Sequence, residues 1–379
     1  MATTRLLIVT RNFPPLTGGM ERLIKHSVDG LADDYEISLI GPAGCGEYCP
    51  AGVRVYECPA NAAGFLVVAM LKGLVASFTR RHALVFGGSG LVAPITRILA
   101  FLRGARSVVH VHGLDLVVPN AVYQSLFVPF IRRHDLVIAN SDNTRRLAVE
   151  KRCAPDRVRV LHPGTEFPDE DGVAAARAGD PGFGDGTVCL FVGRMIRRKG
   201  LAEFLERAWP TVHERLKDAR LVVVGDSPEN ALVRDRDGAQ AIVDAVAACP
   251  PDSVVFLGGV DNATLWSCYA RADALVFPLI DVEGDVEGFG MVAVEAAAYG
   301  TPTVAFAEGG VVDAVADGKS GRLVEPGDYA RYADTLIDVL ASGRPTADEC
   351  RLHAEKFSWA NHREALARLV ADTLADRKA

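Results

Sequence analysis

Short apolar runs recur along the chain, each followed by a longer segment of mixed polarity. In the first half they are Leu6–Thr10, Ile37–Ile40, Val53–Glu57, Ala83–Phe86, Ser107–Val111, Leu136–Ala139 and Val158–Leu161. Runs this short, rich in Val, Ile and Leu, predict strands, and the segments between them are long enough for helical crossovers. The alternation therefore predicts a parallel sheet covered by helices. The pattern pauses at Pro168–Gly186, a stretch rich in Asp, Gly and Ala that reads as a linker. It restarts with Val188–Val192, Arg220–Val224, Val254–Leu257, Ala274–Phe277, Thr303–Phe306 and Gly321–Val324. Helices are expected at Leu201–Arg215 and Asn230–Ala248, and an amphipathic one at Trp359–Ala375. The prediction is an α/β protein of two doubly wound domains, 1–168 and 169–358, with ligands at the carboxyl ends of the strands.

Composition narrows this picture. A chain of 379 residues exceeds one ordinary core, and 49% hydrophobic with 23% charged residues describes a soluble globular protein. No uninterrupted apolar run approaches the length that spans a bilayer, and the N-terminal one is too short for a secretory signal, so a cytoplasmic location is expected. The eight cysteines are scattered and read as free thiols in a reducing compartment.

Charge divides the chain unevenly. Residues 1–167 carry 19 Lys and Arg against 13 Asp and Glu, and the remainder 22 against 35, which recovers the net −7. The basic half is the candidate for meeting an anionic acceptor or membrane. Its apolar segments Asn61–Arg81 and Leu91–Arg106 are punctuated by basic residues, which suits peripheral contact with an anionic membrane as well as the plainer task of covering the sheet. No sustained basic tract points to nucleic acid.

Candidate chemistry centres on Glu287–Gly300. A helix is expected to open at Gly288-Phe289-Gly290 and close at Gly300, its glycines letting an anion approach the backbone. Glu287 and Glu295, eight residues apart, are placed on roughly one helical face. A phosphate site flanked by two carboxylates suits a ligand carrying both phosphates and hydroxyls. Arg194 and Lys199 follow Gly193 at a strand end, placed to neutralise a diphosphate, whereas Arg197 and Arg198 read as solvated charges. Gly18-Gly19 after the first strand serves equally as an anion turn or an ordinary one, and it lacks the GxGxxG spacing. His112 ends the strand Ser107–Val111, and His110 is assigned to the core on the other side of it.

With these residues the chain resembles the family 4 retaining glycosyltransferases of the GT-B fold. The matching pieces are Gly18-Gly19, His112-Gly113, Gly193-Arg194 with Lys199-Gly200, Glu287 through Glu295, and Gly309-Gly310 with Asp313 and Gly318–Gly321. The resemblance implies two Rossmann-like domains facing across a cleft, an acceptor-binding first domain, a donor-binding second domain, and a C-terminal helix, 359–379, crossing back to the first. It assigns Arg194 and Lys199 to the donor diphosphate, Glu287 to the sugar hydroxyls and Glu295 to the ribose. Backbone N–H groups of Phe289, Gly290 and Met291 would meet the β-phosphate or sugar, with Gly18 and Gly19 approaching from the other domain. His112 would touch the sugar near the reacting carbon, and Asp115 would contact acceptor or cap a helix.

No metal or other cofactor is expected, because in the family Arg and Lys supply the counter-charge. This holds despite the loop carboxylates Asp281, Glu283, Asp285 and Glu287. The implied activity is transfer of a sugar from a nucleotide-sugar donor, such as a UDP- or GDP-sugar, to a hydroxyl acceptor with retention. The acceptor would be lipid-linked or a glycan, in cell-envelope glycan, glycolipid or exopolysaccharide synthesis. A sugar-nucleotide epimerase and a non-catalytic nucleotide-sugar-binding protein are the rivals.

Overall fold

A strand forms on each of the thirteen expected apolar runs. The computed structural model describes residues 4–184, 186–225 and 236–376. Two units result, Met1–Gly164 with Trp359–Ala379, and Thr165–Ser358.

In the first unit, β1 (Arg5–Val9), β2 (Glu36–Pro42), β3 (Arg54–Cys58), β4 (Leu84–Gly87), β5 (Arg106–Val111), β6 (Leu136–Ala139) and β7 (Val158–Val160) form one sheet. Its order is β3-β2-β1-β4-β5-β6-β7, parallel throughout. In the second unit, β8 (Val188–Val192), β9 (Arg220–Val224), β10 (Val254–Gly258), β11 (Ala274–Phe277), β12 (Thr303–Phe306) and β13 (Gly321–Val324) are ordered β10-β9-β8-β11-β12-β13, again all parallel. Strand order reverses between β1 and β4 and between β8 and β11. At such a reversal the loops beyond the carboxyl ends diverge and leave a crevice for ligand.

The strands are hydrophobic along nearly their whole length because helices cover both faces of each sheet. In the first unit, α1 (Gly19–Ala32) packs Ile24, Val28 and Leu31 with Leu6 and Ile8 on one face. Helices α2 (Ala62–Thr79) and α3 (Ala93–Arg103) cover the other, around Leu7, Val9 and Val85. The terminal helix Trp359–Ala375 belongs to this unit and lies on α1. Its Leu366 and Val370 enter the α1 core, Trp359 stacks on His26 at 3.9 Å, and His362 meets the His162 carbonyl at 2.8 Å.

Four details differ from the sequence reading. The division falls at Gly164/Thr165, a few residues before 168, because the Thr165 N–H donates to the Phe357 carbonyl at 2.6 Å inside the second unit. The supposed linker Pro168–Gly186 contains a helix, Glu170–Ala178, whose first turn is capped by the Asp169 carboxylate on the Gly172 N–H at 2.8 Å. The segment 201–215 is two helices, Leu201–Arg207 and Trp209–Arg215, since Pro210 has no N–H to continue the first. Helix α2, at eighteen residues, is after all long and apolar enough to cross a membrane, though it connects β3 to β4 and packs one face on the sheet. Of the helix expected at Asn230–Ala248, Arg236–Ala247 is present and 230–235 lie outside the described residues.

Candidate functional site

The second unit gathers its charge at the β8/β11 reversal. After β8 the chain turns at Gly193, whose N–H donates to the Val224 carbonyl at 2.9 Å, and runs through a short 3-10 turn, Arg197–Lys199, to Gly200. Gly200 adopts φ 66, and a Cβ there would sit 1.8 Å from the Pro278 carbonyl oxygen. Only glycine fits, and the close approach lets the Ile280 N–H reach the Arg198 carbonyl at 3.0 Å. The loops after β8 and β11 are thereby stitched together, which brings Arg198 and Lys199 against the acidic loop.

Glu287 lies in that loop, and the helix after it spans Met291–Ala298. The expectation that Glu287 and Glu295 share a helical face fails for this reason, since Glu287 precedes the first turn. Its position is set by a second glycine contact. A Cβ on Gly310 would stand 2.1 Å from the Gly288 carbonyl oxygen, and the Gly310 N–H donates to the Glu287 carbonyl at 2.9 Å. Gly290 caps the helix at φ 95. The first-turn N–H groups of such a helix have no intrahelical acceptor and favour an anion. Phe289 is buried against Phe357 with ring centroids 5.5 Å apart, and Met291 is half-buried. Glu295 is buried one turn on, where its carboxylate accepts the Tyr269 hydroxyl at 2.8 Å.

Four charged side chains meet here. Lys199 Nζ lies 2.7 Å from Glu287 Oε2, Arg198 pairs with the same oxygen, and Arg198 Nε reaches Asp285 Oδ1 at 3.0 Å. The Arg198 and Lys199 side chains are only 7% and 9% exposed, and Glu287 14%. Burial draws the Lys199 ammonium down to about 8, Glu287 opposing the fall and Arg198 and Arg194 adding to it. Burial alone would raise Glu287, but Lys199 and Arg198 outweigh it and hold the carboxyl at about 2. Arg198 and Lys199 are balanced by Glu287 and Asp285, and Arg194 at the edge of this network adds the positive charge that would favour an anionic group under low solvent exposure.

Arg198, read from the sequence as solvated, is thus a buried member of the cluster. Arg194 is exposed at its edge, and Glu283 is exposed and outside it.

The first unit's reversal is different in kind. Gly18 precedes α1, and a Cβ on it would meet the Glu21 carboxylate at 2.4 Å; Gly19 is the first helical residue. Glu21 is buried and accepts from Asn12 Nδ2 at 3.0 Å. His112, buried at the end of β5, places Nε2 2.8 Å from the Gly88 carbonyl, and its backbone N–H donates to the Asp115 carboxylate at 2.9 Å. Asp115 therefore holds the turn at His112. His110 is in the core as expected, but on the same side of β5 as His112, with ring centroids 4.6 Å apart, because residues two apart on a strand point the same way. Ser89 Oγ, His112 Nδ1 and Asn140 Oδ1 are buried without a hydrogen-bond partner at the ends of β4, β5 and β6. Buried polar atoms of this kind call for a partner, and a hydroxyl-bearing ligand would supply it. The Gly87-Gly88-Ser89-Gly90 run directly after a strand was the unread clue.

Two family models match the chain in tandem. Glycosyltransferase Family 4 covers residues 17–167, and Glycosyl transferases group 1 covers 186–342. The chain belongs to the family 4 glycosyltransferases. It is 29% identical over 364 residues, 90% of itself and 91% of the relative, to a GDP-mannose-dependent alpha-(1-6)-phosphatidylinositol monomannoside mannosyltransferase of Mycolicibacterium smegmatis. It is 34% identical over 260 residues to a D-inositol 3-phosphate glycosyltransferase of Acidothermus cellulolyticus, a match spanning 64% of this chain and about half, 54%, of that relative. Among solved structures, sucrose-phosphate synthase from Thermosynechococcus elongatus superposes with TM-score 0.77 at 20% identity, covering 98% of this chain and 100% of that one. Anabaena HepE in complex with UDP-glucose gives 0.76 at 18%, covering 97% and 99%. The chain has the GT-B fold.

Proposed function

We propose that the protein transfers a sugar from a nucleotide-sugar donor to a hydroxyl acceptor with retention of anomeric configuration. The observation that carries this reading is the buried Arg198–Lys199–Glu287 cluster at the β8/β11 reversal. As the glycosidic C–O bond to phosphate breaks, negative charge grows on the departing diphosphate, and Lys199 and Arg194 stabilise it. Glu287, held ionised by its two cations, accepts hydroxyls of the donor sugar, and Glu295 those of the ribose. The acceptor oxygen bonds to the same face of the anomeric carbon, and its proton passes to the departing phosphate oxygen. No metal step is invoked, because Arg and Lys provide the counter-charge.

The donor is a GDP- or UDP-sugar, supported by the GDP-mannose dependence of the mycolicibacterial relative and the UDP-glucose bound to HepE. The acceptor is a lipid-linked polyol or glycan at the inner face of the plasma membrane, supported by the phosphatidylinositol monomannoside in that relative's name. His112 and the unpartnered polar atoms beside it lie in the unit that would serve the acceptor.

Incubation with GDP-mannose or UDP-glucose and a phosphatidylinositol-type or glycan acceptor should give a product whose anomeric coupling by NMR matches the donor's. An inverted product would overturn the retaining reading. Rearranged sugar nucleotide formed without acceptor would make the protein an epimerase.

A further inference from the structure

Helix α2 has two apolar faces and only one of them is used. Phe65, Ala69, Gly73 and Ala76 are buried against the sheet and α3. Val67, Leu71, Val75 and Phe78, spaced four, four and three residues apart, form a stripe on the opposite side and are 58–64% exposed. The apolar surface continues across Phe101 and Leu102 at the end of α3 and across Val122 and Leu126 of the neighbouring helix Ala121–Leu126. Between these elements runs an open groove of about 420 Å³, lined by Leu66, Met70, Leu71, Pro94, Ile95 and Phe127. A contiguous apolar surface of this kind on a soluble domain marks an interaction site.

Charge selects the occupant. From Asn61 to His134 the sequence holds eight Lys and Arg and one carboxylate, Asp115, in a protein whose net charge is −7. Two of the exposed phenylalanines carry an arginine at the ring: Arg103 lies 5.0 Å from the Phe78 centroid and Arg97 5.9 Å from that of Phe101. Among the described residues neither arginine forms an ion pair, nor does exposed Arg81 or Arg133, so their charge is available to an outside anion. Aromatic rings beside guanidinium groups, around an aliphatic stripe and a chain-width groove, match the layers of a lipid leaflet: hydrocarbon, interface, anionic headgroups.

We infer that this face of α2 and α3 docks on an anionic lipid bilayer, with α2 lying along the surface and an acyl chain in the groove. The docking does not depend on the sugar-transfer reading, because it can be observed with no donor present; together the two bring a lipid-borne hydroxyl to the enzyme.

Flotation with vesicles of phosphatidylglycerol and phosphatidylcholine at low salt tests it. The wild-type protein should float with these vesicles, much less with pure phosphatidylcholine, and lose binding as salt rises. Leu71→Glu/Phe78→Glu, both at exposed positions, should reduce vesicle binding at least tenfold and leave the thermal shift caused by GDP or UDP unchanged. Absence of wild-type flotation, or equal flotation of the variant, would overturn the inference. So would a concentration-dependent dimer, seen by analytical ultracentrifugation and abolished in the variant, in the absence of vesicle binding, since the face would then be a contact between copies.

Discussion

The two units share a sheet order around their reversal points yet put opposite chemistry there. At β8/β11 two buried cations converge on one carboxylate, and the glycines 200 and 310 exist to make that convergence sterically possible. At β1/β4 there is no comparable ion cluster among the described residues. His112 rests on a carbonyl, and Ser89, His112 and Asn140 keep polar atoms without partners. One fold has thus been furnished with an ion-paired site suited to phosphates and a site of unpartnered polar atoms suited to hydroxyls. Sheet topology decides where the ligand sits and the loop side chains decide which part of it.

The comparison breaks most severely through Lys199. Lys199→Ala should lower kcat/KM by roughly a thousandfold, as loss of a charge placed at the leaving group does, while Arg198 still neutralises Glu287 and the melting temperature stays near wild type. Glu287→Ala should cost as much activity and also destabilise the protein by about 3–5 kcal/mol in chemical denaturation, because buried Lys199 loses its carboxylate and Arg198 keeps only Asp285. If Lys199→Ala retains full activity, the charged site is not where the reaction happens.

Gly310→Ala probes the steric half of the argument. A methyl group would collide with the Gly288 carbonyl, push the Glu287 loop away and weaken donor binding by about a hundredfold, roughly 2.7 kcal/mol. Titration calorimetry checks this, and unaltered affinity would show that the loop position is immaterial. For the first unit's site the expected effect is smaller. His112→Ala should reduce turnover by about tenfold to a hundredfold and leave the Kd for the bare nucleoside diphosphate unchanged. A matching loss of nucleotide affinity would dissolve the distinction between the sites.

Acidity gives the mildest handle. Lys199, drawn down to about 8, is charged below that pH and neutral above it. Donor affinity should therefore fall as pH rises through 8, by about tenfold between pH 7 and 9 for a single deprotonation. The bound diphosphate favours the ammonium, so binding near pH 8.5 should take up a proton, visible as a buffer-dependent enthalpy.

Much of this was legible in the sequence, for reasons that differ by element. The thirteen strands are short and apolar for most of their length, the central ones buried and rich in Val and Leu, so the hydrophobic pattern found them, with β6, β8, β9, β11, β12 and β13 recovered to the residue. The helix Glu170–Ala178 went unread because it has no buried residue of its own; its cap at Asp169 and the Arg177 contact to the Ala270 carbonyl hold it. Gly193, Lys199, Glu287 and Gly290 drew notice in the sequence as glycines next to charge at strand ends, and the structure places them in one neighbourhood. The burial of Arg198 could not be seen, because it depends on Gly200 passing so close to a carbonyl 78 positions away in the chain that a Cβ would stand 1.8 Å from its oxygen.

The claim that the Arg198–Lys199–Glu287 cluster is the donor phosphate site is tested most directly by calorimetric titration of UDP and GDP into wild-type protein and Lys199→Ala at pH 8.5. Wild type should bind one of the two with uptake of a proton, and Lys199→Ala should bind it at least about tenfold more weakly with no uptake. Equal affinity and equal proton uptake in the two proteins would contradict the account.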